Sequence, residues 1–136
     1  MTEKKIVLVV EDDDIDAKTI IRAYNKVNPR DDVVHKKNGE EALAFLREST
    51  TLPKFILLDI NMPKMNGLEF LAIIRKDKKL ERIPVIVLTT SQNEKDRYQS
   101  FTYGVAGYMI KPLNSEKFIG LLEAINLYWS LSELPD

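Results

Sequence analysis

Short apolar runs alternate with longer amphipathic segments along the chain. The runs are rich in β-branched residues and mostly apolar throughout, which is typical of strands covered on both faces of a sheet. In the segments between them, apolar residues recur every three or four positions, which favours helices. The second run is the most polar, and we expect it at an edge of the sheet. The pattern predicts five strands, each followed by a helix, with the strands at 5–10, 33–36, 55–58, 84–88 and 106–110.

Two of the helix starts carry a capping pattern. Asn38 precedes Glu41, and Ser91 precedes Glu94, at the spacing of an N-cap residue and a reciprocal acid at the third helical position. These pairs predict helices that begin just after Asn38 and just after Ser91. Strand and helix units that alternate with short connections predict an α/β fold, in which a parallel sheet carries helices on both faces.

Apolar stripes predict which helix faces enter the core. In the first helix, a stripe at intervals of four starts at Ile15 and continues through Thr19, Ala23 and Val27. The last helix has a similar stripe near the end of the chain, which we expect to pack on the sheet. That stripe consists of Phe118, Leu121, Leu122, Ile125 and either Tyr128 or Trp129.

Length and composition narrow the possible functions. The chain has 136 residues, 44% of them hydrophobic and 30% charged, which predicts a single domain without an appended output domain. The 20 basic and 21 acidic residues nearly cancel, which argues against a general nucleic-acid or membrane-surface binder. The absence of cysteine excludes disulfides and thiolate sites, and one histidine argues against a multi-histidine metal site. That histidine, His35, falls on the polar strand and is predicted to be solvated.

The sequence carries no recognisable targeting or membrane segment. The first apolar run leads directly into a block of acids, unlike the apolar region of a secretory leader. No run approaches the ~20 apolar residues that a membrane helix needs. We therefore expect a cytoplasmic protein.

Polar residues follow four of the five predicted strands. Glu11 and Asp12 come after the first strand, Asp59 after the third, Thr89 after the fourth and Lys111 after the fifth. In an open parallel sheet, ligands bind beyond the carboxyl ends of the strands, so these groups are read together. Three neighbouring carboxylates repel one another unless a cation compensates them, and hard oxygen ligands favour Mg²⁺. A lysine and a hydroxyl suit a phosphoryl group, so the set predicts an aspartyl-phosphate site.

The chain resembles the receiver domain of two-component response regulators. The resemblance covers about 4–127 and rests on four stretches in the family's order: VLVVEDDDIDA, FILLDINMPKMNGLEFL, IPVIVLTTS and GYMIKPL. It implies a flavodoxin-like three-layer α/β sandwich with five helices and a five-stranded parallel sheet in the order 2-1-3-4-5. It also implies that residues 1–136 form one receiver domain.

The resemblance assigns a phosphoacceptor and a metal site. Asp59 matches the aspartate that accepts the phosphoryl group. Glu11 and Asp12 match the acidic pair that holds Mg²⁺ together with Asp59, and Asn61 matches the residue that offers a backbone carbonyl to the metal. Glu11 stands where many members of the family have Asp.

The resemblance also assigns a switch. Thr89 matches the hydroxyl that moves towards the phosphoryl group, Tyr108 the aromatic residue whose rotamer follows it, and Lys111 the ammonium that pairs with the phosphoryl oxygens. The family implies a cis bond before Pro112. Thr90 is larger than the Ala or Gly often found after the switch residue, which leaves the lifetime of the phosphoryl group open.

These assignments imply a signalling switch that receives its phosphoryl group from a histidine kinase or a phosphotransfer protein. Such a switch takes part in its own phosphorylation and dephosphorylation, and we expect no enzymatic turnover of a separate substrate. Three alternatives stay open: a phosphatase of the haloacid dehalogenase type, a flavodoxin, and an unphosphorylated adaptor. The phosphatase would need its nucleophile on the first strand, and the flavodoxin would need a loop rich in glycine and hydroxyl groups after that strand.

The C-terminal segment resembles that of a narrower group, the stand-alone receivers partnered with bacterial phytochrome kinases. The similar residues are 125–129 and 133–135. That group forms homodimers through helix four, strand five and helix five, whereas in the alternative the tail completes the monomer's own core. The candidate interface residues are Phe101, Tyr103, Leu127, Tyr128, Trp129 and Leu131.

Overall fold

Five parallel strands form one sheet in the order β2-β1-β3-β4-β5. The structure is a computed structural model that describes residues 5–131, apart from the side chain of Ser115. Each strand begins and ends within one residue of its predicted position, and the polar second strand lies at an edge as predicted. The strands are β1 (Ile6–Val10), β2 (Asp32–Lys36), β3 (Phe55–Leu58), β4 (Val85–Thr89) and β5 (Gly107–Ile110).

Helices cover both faces of the sheet. The first and last helices share one core cluster with alternate residues of the strands, while the second and third helices share the cluster on the opposite face. The fourth helix packs beside the third. The predicted three-layer flavodoxin-like architecture is therefore confirmed. The helices are α1 (Asp14–Val27), α2 (Gly39–Glu48), α3 (Gly67–Ile74), α4 (Glu94–Thr102) and α5 (Ser115–Leu131).

The predicted start of α2 is confirmed, whereas that of α4 is wrong. The Asn38 side chain accepts a hydrogen bond of 2.9 Å from the Glu41 backbone N–H. Helix α4 begins two residues later than predicted, because its N-cap is Asn93. The Ser91 hydroxyl instead donates to Asp96 Oδ2 at 2.7 Å. Ser91 and Glu94 have the right spacing for a cap, but Asn93 directly precedes the helix and its side chain accepts from the backbone N–H groups of Lys95 and Asp96.

The predicted core stripe of α1 is also wrong at its start. Ile15 is 77% exposed, and the buried side of the helix instead carries Ala17, Ile20, Ala23 and Tyr24. Residues three or four positions apart lie on the same face of a helix, and the buried residues follow this spacing from Ala17 onward. Ile15 lies outside that face and points to solvent. In α5, the predicted residues Phe118, Leu122 and Ile125 are buried.

The candidate interface residues divide into two groups. Trp129 is half-buried, and its ring stacks on that of Phe55 with 6.2 Å between centroids, so it contributes to the monomer's core. Tyr103 is likewise half-buried against the opposite core. The remaining four are exposed: Phe101, Leu127, Tyr128 and Leu131. Residues 133–135 of the predicted C-terminal likeness lie outside the described residues.

Among the residues that the structure describes, no helix has both the length and the apolar character needed to cross a membrane.

A buried ion pair joins the elements at the amino ends of the strands. The Asp31 carboxylate lies just before β2, forms a salt bridge with Lys54, and accepts a hydrogen bond of 2.5 Å from the Tyr24 hydroxyl. Asn28 donates to Asn126 Oδ1 at 3.0 Å, which ties the end of α1 to α5. Burial and the neighbouring Asp31 carboxylate raise the pKa of Tyr24, so its hydroxyl stays protonated and keeps donating.

We predict that Asp31→Ala destabilises the fold by about 3 kcal/mol. The substitution leaves the Lys54 ammonium and the Tyr24 hydroxyl without their shared acceptor at a largely buried position. Urea unfolding followed by circular dichroism measures the loss. Glu123→Ala, which removes an exposed acid from α5, serves as the control and should change the free energy of unfolding by less than about 0.5 kcal/mol. Equal stability of the two variants would contradict a stabilising role for the ion pair.

Candidate functional site

The four predicted strand ends meet at one edge of the sheet. The backbone ladders continue one residue past β1, β3 and β5, because Glu11, Asp59 and Lys111 each donate a backbone hydrogen bond to a neighbouring strand. Thr89 is the last residue of β4. The side chains of all four residues are buried. The structure therefore brings these predicted groups together at one end of the sheet.

The Asp59 carboxylate is held at both oxygens. Its Oδ1 atom accepts hydrogen bonds from the Thr89 hydroxyl at 2.9 Å and from the Asn61 backbone N–H at 3.0 Å. Its Oδ2 atom accepts a hydrogen bond from Lys111 Nζ at 3.0 Å. The carboxylate is thus fixed in orientation, with a cation on one side and a hydroxyl on the other.

Lys111 lies among three carboxylates. Its ammonium is 2.6 Å from Glu11 Oε1, 2.8 Å from Asp16 Oδ2 and 3.0 Å from Asp59 Oδ2. Burial alone would lower the pKa of Lys111, but the hydrogen bonds to Asp16 and Glu11 and the charge of Asp59 outweigh it, so the pKa is raised. The ammonium therefore stays charged.

Asp16 is a member of this site that the sequence analysis did not identify. It lies on α1 rather than at the end of a strand, so reading the strand ends together does not find it. The available signal is its place in the first turn of α1, three residues after the N-cap Asp13 and directly after the acidic loop that follows β1.

Three carboxylates form a candidate site for a divalent cation. Glu11, Asp12 and Asp59 each offer an oxygen, and the three oxygens lie within 4.8 Å of one another. Glu11 Oε1 is buried and lies 2.6 Å from the Lys111 ammonium. Hard oxygen ligands without histidine or cysteine suit Mg²⁺ or Mn²⁺, so the residues fit such an ion.

The pKa of Glu11 reflects its burial beside a second acid. Burial, and secondarily the charge of Asp59, raise the pKa of Glu11 to about 8, while Lys111 acts in the opposite direction. A cation bound between these carboxylates would favour their ionised forms. The Asn61 carbonyl is a predicted ligand that stays a prediction, since the structure describes a contact of its backbone N–H with Asp59 and no contact of the carbonyl.

A glycine holds the loop that follows Asp59. The Gly67 N–H donates to the Ile60 carbonyl at 3.1 Å. A Cβ atom at Gly67 would lie 2.5 Å from Ile60 Cα and 2.7 Å from the Asp59 carbonyl oxygen. Any larger residue would therefore push the backbone that carries Asp59, so the start of α3 fixes the position of the carboxylate.

Hydrogen bonds connect Thr89 to Tyr108 through the loop before α4. The Ser91 N–H donates to Thr89 Oγ1 at 3.2 Å, and the Tyr108 hydroxyl donates to the Ser91 carbonyl at 2.9 Å. The two predicted switch residues therefore lie on one connected path. Their change of rotamer stays a prediction.

Two expectations at this edge are wrong. Every peptide bond among residues 5–131 is trans, including the bond before Pro112. Trans is the favoured isomer, and with it Lys111 already reaches Asp59, so the turn does not need a cis bond to direct the lysine inward. His35 is half-buried rather than solvated, and its Nε2 atom lies 2.7 Å from the Glu11 carbonyl oxygen. The reason is that Glu11 continues the pairing of β1 with β2 and so passes directly beside His35.

Comparisons with known proteins agree with this geometry. The family model of the response regulator receiver domain matches residues 7–123. The probable methanogenesis regulatory protein FilR2 of Methanothrix harundinacea is 36% identical over 128 residues, which cover 91% of this chain and 83% of that protein. Response regulator Rcp1 of Synechocystis is 35% identical over 130 residues, which cover 92% of this chain and 88% of that protein.

Solved structures show the same similarity in three dimensions. The phosphorylated cyanobacterial phytochrome response regulator RcpA has a TM-score of 0.91 and 36% identity, over 98% of this chain and all of that one. The Mn²⁺-bound form of response regulator Rcp1 has a TM-score of 0.86 and 33% identity, over 97% of this chain and 99% of that one.

We predict that Asp12→Asn weakens Mn²⁺ binding at least about tenfold, because it removes a charged ligand from the acidic cluster. Paramagnetic resonance of free Mn²⁺ during a titration measures the affinity. The control is Asp14→Asn, since Asp14 is an exposed acid nearby that pairs with Lys37 at 3.6 Å. If both variants bind Mn²⁺ as tightly as the unaltered protein, the assignment of the metal site is wrong.

Proposed function

The chain belongs to the response regulator receiver family, and we propose that its Asp59 accepts the phosphoryl group that such domains receive from histidine kinases. The observation that carries the proposal is the Asp59 carboxylate itself. It accepts hydrogen bonds from both Thr89 and Lys111 and lies beside Glu11 and Asp12. No other aspartate among the described residues has this set of neighbours.

The proposed reaction transfers a phosphoryl group from a histidine of the donor. A carboxylate oxygen of Asp59 attacks the phosphorus, the P–N bond breaks, and its electron pair returns to the imidazole of the donor. Lys111 and Thr89 flank the carboxylate, where an ammonium and a hydroxyl can stabilise charge on the phosphoryl oxygens. Glu11, Asp12 and Asp59 would hold Mg²⁺, which when bound neutralises further charge on these oxygens.

Phosphorylation would act as a switch through the Thr89 hydroxyl. A phosphoryl group on Asp59 offers new acceptor oxygens to the Thr89 hydroxyl, whose Oγ1 atom accepts a hydrogen bond from the Ser91 N–H. The Ser91 carbonyl in turn accepts a hydrogen bond from the Tyr108 hydroxyl, and the Ser91 hydroxyl donates one to Asp96 of α4. A movement of Thr89 would thus bias the position of the loop before α4 and the surface that a partner contacts.

We assign the protein to signalling switches rather than to enzymes that act on a separate substrate. Asp59 follows β3, whereas a phosphatase of the haloacid dehalogenase type carries its nucleophile on the first strand. The loop after β1 carries Glu11, Asp12 and Asp13, which would repel the phosphate of a flavin. The intact pair of Asp59 and Lys111 argues against an unphosphorylated adaptor.

The donor we propose is a cytoplasmic histidine kinase of the phytochrome type, or a phosphotransfer protein supplied by one. Support comes from the similarity to RcpA and Rcp1 along almost the whole chain. Ile15 and Leu113, which follow the acidic loop and the Lys111 strand end, are both exposed large apolar residues at the rim of the site. They offer apolar contact area to a donor that must bring its histidine close to Asp59.

We predict that the protein gains one phosphoryl group from acetyl phosphate in the presence of Mg²⁺, and that Asp59→Asn gains none. Intact-protein mass spectrometry measures the gain, and Asp14→Asn serves as the control that keeps it. Removal of Mg²⁺ with EDTA should abolish the reaction, because the carboxylates would repel the incoming phosphoryl oxygens. A phosphoryl group on the Asp59→Asn protein would refute the assignment of the acceptor.

A second copy of this chain is the partner we propose for the surface formed by α4, β5 and α5. Exposed apolar side chains lie on all three elements, and such residues are typical of an interface core. Trp129 and Tyr103 are not part of this set, because each packs in the monomer's own core. The exposed large apolar residues of these three elements are Tyr98, Phe101, Ile110, Leu127, Tyr128 and Leu131.

We predict a homodimer at tens of micromolar protein, and we expect Tyr128→Glu to convert it to a monomer. A charge at this position would have to be buried without a partner when the two surfaces meet. Light scattering coupled to size-exclusion chromatography measures the mass. Ile15→Glu, which places the same charge at an exposed apolar position of α1 outside this surface, serves as the control and should stay dimeric. A monomeric mass both with and without beryllofluoride would end the dimer proposal and leave the phosphoacceptor assignment intact.

A further inference from the structure

Asp16 contacts the lysine of the site without belonging to the group of acids that can hold a cation. Its Oδ2 atom lies 2.8 Å from Lys111 Nζ. The cluster with metal-binding geometry consists of Glu11, Asp12 and Asp59, and it does not include Asp16. Asp16 therefore has a different task from the other acids at this edge.

The Lys111 ammonium has three N–H groups and three carboxylate neighbours. If Asp59 is the phosphoacceptor, two of these neighbours change during the reaction. Asp59 becomes an acyl phosphate, and Glu11 is one of the acids that would hold the cation. Asp16 is the neighbour whose chemistry stays the same before and after the transfer.

The geometry of α1 makes Asp16 a suitable anchor. Its backbone N–H is fixed by a hydrogen bond of 2.9 Å to Asp13 Oδ1, which is the N-cap of the helix. Its side chain is 38% exposed, whereas that of Lys111 is 6% exposed, so the carboxylate reaches the lysine from the solvent side. A lysine has a flexible four-carbon stem, and a fixed partner restricts its rotamers before the phosphoryl group arrives.

We propose that Asp16 is a positioning residue that holds the Lys111 ammonium directed at Asp59 throughout phosphoryl transfer. The proposal rests on Asp59 being the phosphoacceptor and adds a residue on α1 to the strand-end residues of the site. Asp16 acts through Lys111 and does not contact the reacting phosphorus.

The kinetic test compares three variants at saturating Mg²⁺ with acetyl phosphate as donor. Asp16→Ala should be phosphorylated about threefold more slowly, which is the effect of losing a partly exposed ion pair. Asp16→Asn keeps an acceptor oxygen for the ammonium and should recover part of the rate. Asp14→Ala removes the same charge from the same turn of α1 without contacting Lys111, and its rate should equal that of the unaltered protein.

A spectroscopic test reports on the lysine directly. The ammonium of a buried, paired lysine exchanges its protons slowly, so nitrogen-15 NMR should show a Lys111 signal that disappears in Lys111→Arg. Asp16→Ala should broaden or remove this signal, while Asp14→Ala should keep it. The readout does not depend on phosphorylation, so it separates failure of this proposal from failure of the proposed function.

Two results would overturn the positioning role. One is an unchanged ammonium signal and an unchanged rate in Asp16→Ala. The other is the absence of a Lys111 ammonium signal from the unaltered protein, because a lysine that exchanges freely is not held. If the unaltered protein is not phosphorylated at all but Asp16→Ala still removes the signal, the ion pair stands and the proposed function falls.

Discussion

The ammonium of Lys111 lies against carboxylates from three different elements, and the edge of the sheet that carries the site depends on this contact. Glu11 follows β1, Asp59 follows β3, and Asp16 lies on α1. Their charges would force these elements apart if nothing compensated them. The single positive charge of Lys111 does not balance these acids and Asp12, so the site keeps an excess of negative charge. A divalent cation could neutralise this excess, and a bound cation would in turn favour a phosphoryl group at the same place.

The parallel sheet explains how one lysine can reach so many acids. Successive strands end at the same edge, so residues far apart in sequence, such as Glu11 and Lys111, approach within hydrogen-bonding distance. The amino ends of the strands have their own buried ion pair, between Asp31 and Lys54, which joins the segments before β2 and β3. The candidate site and this ion pair thus lie at opposite ends of the strands, and the hydrogen bond from Ser91 to Thr89 lies at the end that carries the candidate site.

The features that local sequence patterns determine could be predicted from the sequence. Strand positions follow from apolar runs, and the shared site follows from the rule that strand ends meet. Contacts that depend on register or on the packing of a helix could not be predicted from the sequence. Asp16 reaches Lys111 only because the first turn of α1 lies near the end of β5, and His35 reaches Glu11 only through the pairing of β1 with β2. Where two local signals competed, as before α4, spacing alone chose Ser91 and the structure uses Asn93.

A crystal structure of the protein with Mg²⁺ and beryllofluoride, which stands in for the phosphoryl group, would test whether Asp59 accepts a phosphoryl group that Lys111 and Thr89 stabilise. We predict beryllofluoride on a carboxylate oxygen of Asp59, its fluorines within hydrogen-bonding distance of Lys111 Nζ and Thr89 Oγ1, and Mg²⁺ bound by Asp12. An adduct on another residue, or an Asp59 adduct with Lys111 turned away to solvent, would contradict it.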